Sequence, residues 1–301
     1  MLTSKVANSP RAPSPLIILE LLKPHTWFPP MWAFLCGAVS SGALLLDNLT
    51  FLLVGIVLAG PLVCGMSQAA NDWCDRHVDA INEPHRPIPS GRMPGRSGLW
   101  VALIMSIAAP IVAWPLGPWC FIATIFAVAA AWAYSAEPIR LKRSGWWGPG
   151  LVALCYEGLP WFTGAAALSG GLPTPTVLAL AALYAIGAHG IMTLNDFKAI
   201  AGDKETGVAS LPVRMGVDGA ARFACLIMLA PQIIVVSMLW IYDATVPALI
   251  IAAFVVGQIF AMRHFLRDPI GRSEWYNRVG VVLFVSGMMV AAIGLRLYGI
   301  A

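Results

Sequence analysis

Asp72, Asp75 and Asp79 follow one another at i, i+3 and i+7 in the stretch Asn71-Asp72-Trp73-Cys74-Asp75-Arg76-His77-Val78-Asp79. On a helix they share one face. Three carboxylates stacked in this way repel one another, and a hard cation relieves the repulsion. Mg²⁺ suits the task, because it is commonly held by one or two carboxylates together with substrate phosphates. The theme returns at Asn195-Asp196-Phe197-Lys198, with Asp203 following Asp196 at i+7. Each acidic group stands directly behind a long apolar run. Two acidic helix ends of this kind point to chemistry on a diphosphate that carries a lipid tail.

Asn71 and Asn195 can ligate a metal through a side-chain oxygen or orient the neighbouring Asp. Asp72, Asp75, Asp79, Asp196 and Asp203 cannot share a cavity with a diphosphate unaided, so Mg²⁺ and basic side chains must offset the charge. The candidates are Arg76, Arg86, Arg140, Lys142 and Lys198. Cations on a departing diphosphate stabilise the negative charge that develops there. An allylic diphosphate would then ionise at C1, inside apolar helices that keep water from the carbocation. Catalysis should rest on Asp72, Asp75, Asp196 and Asp203. A lone Asp at a membrane helix end is usually a solvated cap, but three on one face, echoed on a second helix, are poorly explained that way.

The elements that must position these groups follow from composition. Of 301 residues, 58% are hydrophobic and 11% charged, and the mean hydropathy is +0.76. A soluble domain carries about 25% charged residues. Membrane-length apolar runs of about 20 residues can be placed nine times, at roughly 26–46, 50–72, 97–114, 118–136, 147–168, 175–195, 219–241, 244–262 and 277–297. The expected fold is all-α and polytopic, nine transmembrane helices around a cytoplasm-facing cavity, with residues 26–301 as the transmembrane domain. Residues 1–25 read as a cytoplasmic tail without a cleavable signal, in which Leu16–Leu22 forms a short interfacial helix.

Basic residues set the orientation. With the N-terminus inside, every Lys and Arg except Arg296 falls in the tail or in a cytoplasmic loop. Both acidic groups then face the cytoplasm, where Mg²⁺ and diphosphates are available. The net charge of +4 expresses this loop bias and gives no reason to expect nucleic acid. The six cysteines lack CxxC spacing, so a zinc site or disulfide framework is not expected. Helices 2 and 6 run in the same direction and both end in Asn-Asp, a weak internal echo that would bring two acidic ends together across one cavity.

These motifs resemble the intramembrane prenyltransferases of the UbiA superfamily. The resemblance rests on Asn71 to Asp75, the polar loop to Gly91, Tyr134-Ser135 through Lys142, and Asp196 to Asp203. Within the superfamily, the chlorophyll synthase branch is similar in Asp79-Ala80-Ile81-Asn82-Glu83-Pro84, Arg86-Pro87-Ile88-Pro89-Ser90-Gly91 and Ser210-Leu211-Pro212. Ser144-Gly145-Trp146-Trp147-Gly148 and Tyr156-Glu157-Gly158-Leu159-Pro160-Trp161 resemble its bacteriochlorophyll synthase subgroup. The likeness runs from Leu19 onward. It implies nine helices, Mg²⁺ on two Asp motifs, a geranylgeranyl or phytyl diphosphate donor and a bacteriochlorophyllide acceptor esterified at its 17-propionate. It also implies a bacterial inner or intracytoplasmic membrane, lipid contact and partners among pigment-pathway or light-harvesting assembly proteins. Many superfamily members space the second motif as DxxxD, whereas Asp196 and Asp203 are seven apart. Asp203 would then reach a metal directly or through water.

A propionate is ionised at pH 7, since a carboxyl of this kind has a pKa near ~4.3. It attacks the cation as it stands, so no activated Ser, Cys or His is required. His189 and Glu157 lie within spans, where charge is costly and usually paired. They read either as a structural hydrogen bond or as markers of the acceptor chamber, with His189 ligating the chlorin magnesium. Prenylation of chlorophyllide, a quinone precursor or haem, a pigment carrier and a transporter stay open as other readings.

Overall fold

In lipid a chain must satisfy its backbone hydrogen bonds within its own segments, and this chain does so with helices. The computed structural model describes residues 13–300. Lys5, Arg11 and the rest of the tail up to residue 12 lie outside the described residues. A short helix α1 (Pro15–Leu21) precedes α2 (Phe28–Ser40). Among the described residues, eight helices are long and apolar enough to cross a membrane: α3 (Leu49–Asn82), α4 (Ser97–Leu116), α5 (Pro118–Ser135), α6 (Trp147–Ser169), α7 (Pro175–Asp196), α9 (Leu211–Ile241), α10 (Thr245–Phe265) and α11 (Pro269–Leu297). The short helix α8 (Ile200–Thr206) lies between α7 and α9.

The expected first span is shorter than its apolar run. Pro24–Thr26 forms a 3₁₀ turn before α2, and Gly42 in the left-handed region (φ 75°) follows its end. The 13 residues left make about 20 Å of helix at 1.5 Å per residue. Of the nine expected spans, eight are therefore of full length. α9 breaks at Gly216 (φ 76°), a conformation that glycine alone adopts freely, so its apolar run begins just beyond, close to where hydropathy places it.

Two spans carry a π turn: Leu58–Cys64, with Pro61 inside it, and Leu154–Gly158, which contains Glu157. Such widened turns are frequent at functional sites. They approach each other, since the Cys64 thiol lies 3.3 Å from the Tyr156 hydroxyl. The parallel bridge between Ser144 and Ala209 joins the loop after α5 to the loop after α8, through Gly145 N–H donating to Ala209 O (2.9 Å) and Ala209 N–H to Arg143 O (3.0 Å).

Small residues allow the tightest helix crossing, as expected within a membrane. A Cβ on Gly37 would fall 1.9 Å from Trp161 O, and one on Gly164 would fall 2.0 Å from Phe34 O. Neither backbone can retreat without separating α2 from α6. We expect Gly164→Leu to exceed the ~1–3 kcal/mol of ordinary overpacking and to abolish the monodisperse peak in detergent size-exclusion chromatography. A wild-type elution profile would show that the crossing is looser than its geometry. Elsewhere, buried Gln232 and Gln258 exchange amide hydrogen bonds of 3.1 and 2.8 Å, which satisfies both side chains without water.

Candidate active site

The C-terminal turns of α3 deliver the first acidic group, and each member has a cation against it. Asp72, 1% exposed, accepts from Lys23 Nζ at 2.6 Å and from Arg86 at 3.4 Å. Asp79 accepts from Arg86 at 2.9 Å. Asp75 accepts from Arg140 at 3.1 Å and from Lys142. Burial works to lower the pKa of Arg86, yet Asp72 and Asp79 hold it above the ordinary guanidinium value. The polar loop that carries Arg86 is tied down again by Arg92, which pairs with Glu20 on α1 (2.5 Å) and holds that carboxyl below its usual range.

The second acidic group is built differently. The α-helix ends at Leu194, Asn195–Lys198 form a 3₁₀ turn, and Asp203 belongs to α8. The two carboxylates therefore do not share one helix face, as their spacing predicts. The turn at Ala199 folds Asp203 back instead, and Asn195, Asp196 and Asp203 line one cavity of about 690 Å³ with Arg140 and Lys142. Asn277 donates to Asn195 Oδ1 at 3.3 Å. Tyr134 also lines this cavity, whereas Asp72, Asp75 and Asp79 do not; the first acidic group reaches it through Arg140 and Lys142, which pair with Asp75 at its wall.

Tyr134, Val152 and Tyr156 are shared with a second cavity of about 210 Å³ whose other walls include Pro30, Ala59, Val63, Ala127 and Ala130. Ala59, Val63, Ala127 and Cys155 are shared in turn with a small void bounded by Gly55, Leu159 and Thr163. A charged chamber thus continues into an apolar passage between α3, α5 and α6. Asn71 lines that passage, not the charged chamber, and its amide donates to Ser135 Oγ at 3.3 Å. Gln68 donates to the Tyr156 hydroxyl at 3.1 Å and fixes that ring at the neck.

Other expected site residues stand apart. Arg76 turns away from the carboxylates, donating to Trp73 O at 2.8 Å and lying 4.3 Å above the Trp73 ring. Lys198 is exposed on its turn. His189 does not line the charged chamber. Ile191 and Met192, nearer the acidic turn, do so, while His189 meets the start of α6 and lines side grooves of about 660 and 390 Å³ with Trp146, Gly150 and Leu154. Its Nε2 lies 3.1 Å from Trp146 O, so one ring nitrogen is already engaged within the protein. Glu157 is buried at 2% exposure, lines none of these cavities, and leaves Oε2 without a partner.

Sequence reasoning missed Lys23, Gln68 and Tyr156 as site residues. A lysine directly before the first apolar run is a visible signal for the first of them. No local periodicity marks the other two.

The donor set suits a metal completed by its substrate. Among the described residues no three His, Cys, Asp or Glu side chains converge into a cage. Asp72 Oδ2 and Asp196 Oδ2 are nevertheless buried without hydrogen-bond partners, as are Ser210 Oγ and Arg140 Nε beside them. Buried polar atoms are rarely left so; Asp196, Ser210 and Arg140 line the charged chamber, Asp72 lies outside its lining, and Glu157, Tyr184 and Tyr276 are further cases away from it. One or two carboxylates from each side leave positions for phosphate oxygens, the usual coordination of Mg²⁺.

Residues 23–294 match the profile of the UbiA prenyltransferase family. The bacteriochlorophyll synthase 33 kDa chain of Cereibacter sphaeroides is 63% identical over 94% of each chain. Rice chloroplastic chlorophyll synthase is 34% identical over 92% of this chain and 76% of its own. The fold is similar to the solved structure of a UbiA homologue from Archaeoglobus fulgidus bound to GPP and Mg²⁺, with a TM-score of 0.61 and 16% identity over 94% of this chain and 98% of that one. A structure of digeranylgeranylglyceryl phosphate synthase gives a TM-score of 0.72 at 20% identity over 92% and 98%. Helical architecture, paired acidic groups and close relatives along nearly the whole chain agree: this protein belongs to the UbiA prenyltransferase family.

Proposed function

We propose that this integral membrane protein is the prenyltransferase of bacteriochlorophyll synthesis, esterifying the 17-propionate of bacteriochlorophyllide with geranylgeranyl or phytyl from the corresponding diphosphate. The reaction class is supported by the charged chamber that opens into an apolar passage at Tyr134 and Tyr156. The observation that carries the acceptor is the 63% identity with a bacteriochlorophyll synthase, against 34% with a chlorophyll synthase.

Asp72, Asp75, Asp196 and Asp203 would hold Mg²⁺, with Asp79 tethering Arg86. When bound, the metal supplies Lewis-acid stabilisation of the leaving diphosphate. Arg86, Arg140 and Lys142, each paired with a carboxylate of the first acidic group, would add charge-assisted hydrogen bonds to the diphosphate. The C1–O bond breaks with its electron pair leaving on the diphosphate. A propionate oxygen forms the new bond to C1, and no proton is lost. The apolar passage takes the isoprenoid tail and excludes water from the allylic cation. His189 serves the acceptor side by holding the Trp146 carbonyl at the edge of the side groove, and Glu157 lies behind the neck.

The distribution of basic residues supports an active site facing the cytoplasm from a bacterial inner or intracytoplasmic membrane, with the N-terminus on that side. Residues 26–301 then form the transmembrane domain behind a cytoplasmic tail.

Membranes containing the protein, supplied with labelled geranylgeranyl diphosphate and Mg²⁺, should form the bacteriochlorophyllide ester in preference to the chlorophyllide ester. Product from a quinone precursor or haem, and none from bacteriochlorophyllide, would overturn the acceptor. Lys142→Ala removes one charge-assisted hydrogen bond, worth ~1.5–3 kcal/mol. The donor KM should rise about tenfold to a hundredfold, with the acceptor KM nearly unchanged. The reverse pattern in a two-substrate titration would assign Lys142 to the acceptor.

A further inference from the structure

Lys23 sits in an uncommon backbone conformation and is held there. Its φ is +47°, in the left-handed region that costs a non-glycine residue of order 1 kcal/mol. Thr26 Oγ1 donates to Lys23 O at 2.8 Å, and Trp27 Nε1 donates to Leu22 O at 2.8 Å. On the other side, α1 is anchored by the fully buried Leu21 and by the Glu20–Arg92 pair. All of this holds one ammonium 2.6 Å from Asp72 Oδ1.

The two acidic groups differ in their compensation. Asp72, Asp75 and Asp79 are matched by Lys23, Arg86, Arg140 and Lys142. Among the described residues no ion pair involves Asp196 or Asp203. A divalent ion approaching Asp72 must face the Lys23 ammonium and the Arg86 guanidinium on the same carboxylate. A diphosphate changes that balance, because it offers both cations new oxygens and brings negative charge of its own.

We propose that Lys23 is a positioning residue that makes metal binding at the first acidic group conditional on diphosphate. Lys23 excludes a divalent ion arriving alone and moves to the diphosphate when the two arrive together. The inference rests on the reading of the acidic groups as a metal and diphosphate site. Coupling of this kind is reciprocal, so the metal tightens diphosphate to the same extent.

The test is a Mn²⁺ titration followed by electron paramagnetic resonance, with and without inorganic pyrophosphate. It uses the purified full chain in detergent, in an Asp196→Asn background that leaves the first group as the acidic site read. We expect the parent to bind Mn²⁺ at least tenfold more tightly when pyrophosphate is present. Lys23→Met should bind Mn²⁺ alone at least fivefold more tightly than the parent, with the pyrophosphate enhancement correspondingly reduced. Lys23→Arg should behave as the parent, and Lys23→Gln repeats the test if the Met variant does not elute as folded protein. Unchanged or weaker Mn²⁺ binding in folded Lys23→Met or Lys23→Gln would overturn the role of Lys23. If Asp196-intact protein binds no Mn²⁺ even with pyrophosphate, the metal site itself is wrong, a different result from the first.

Discussion

Asp72→Asn and Asp196→Asn should each lower turnover by at least about 10²–10³-fold, the cost of removing one preorganised group that stabilises a leaving anion. Both carboxylates have a buried oxygen with no partner in the protein, so each is oriented toward something the chain does not itself supply. Asn keeps the shape and removes the charge. It is preferable to Ala at position 72, where a truncated side chain would leave Lys23 and Arg86 facing a buried gap. Asp75→Asn should behave similarly, because Arg140 and Lys142 converge on that carboxylate. Asp203 is more open and should show a smaller loss. Turnover within tenfold of wild type at saturating Mg²⁺, in protein that elutes normally, would remove the two-group mechanism.

The second large effect is expected in the apolar passage. Ala127 lines both the second cavity and the small void beyond it, so on the proposed function it stands on the path of the isoprenoid tail. Ala127→Phe places a ring across that path on the side of Tyr134 and Tyr156 away from the charged chamber. Turnover with geranylgeranyl diphosphate should fall by about a hundredfold, the scale of one buried aromatic-sized clash of ~3 kcal/mol. A dimethylallyl donor, whose tail ends near the neck, should keep most of its turnover. Parallel assays with the two donors decide the matter. Equal losses would mean that the substitution disturbs the chamber, and no loss would move the tail elsewhere.

Much of this arrangement was legible in the order of residues. Eight spans and both acidic groups follow from hydropathy and from carboxylate spacing, because burial in lipid and helical repeat act over a few turns of chain. Arg86, Arg140 and Lys142, suspected on charge balance alone, are the basic residues of that set that pair with the first acidic group. Arg76 and Lys198 met the same criterion but turn elsewhere, since charge balance gives no direction to a side chain. The short α2 escaped the hydropathy reading because Gly42 and the turn at Pro24 interrupt a run that remains apolar throughout.

Tertiary structure alone decided which groups meet. Lys23 reaches Asp72 across 49 positions, and Lys142 reaches Asp75 across 67. Such separations lie far beyond the few turns over which a helical repeat relates side chains. The neck at Tyr156 depends on two π turns facing each other, and the α2–α6 crossing depends on Gly37 and Gly164 meeting opposite backbones. His189 was excluded from the charged chamber by the start of α6 packing over it. Local spacing determines what a helix presents along its own face. Which faces meet is set by close packing between segments remote in sequence, and that packing brought Arg140 and Lys142, the partners of Asp75, into the chamber that Asp196 and Asp203 line.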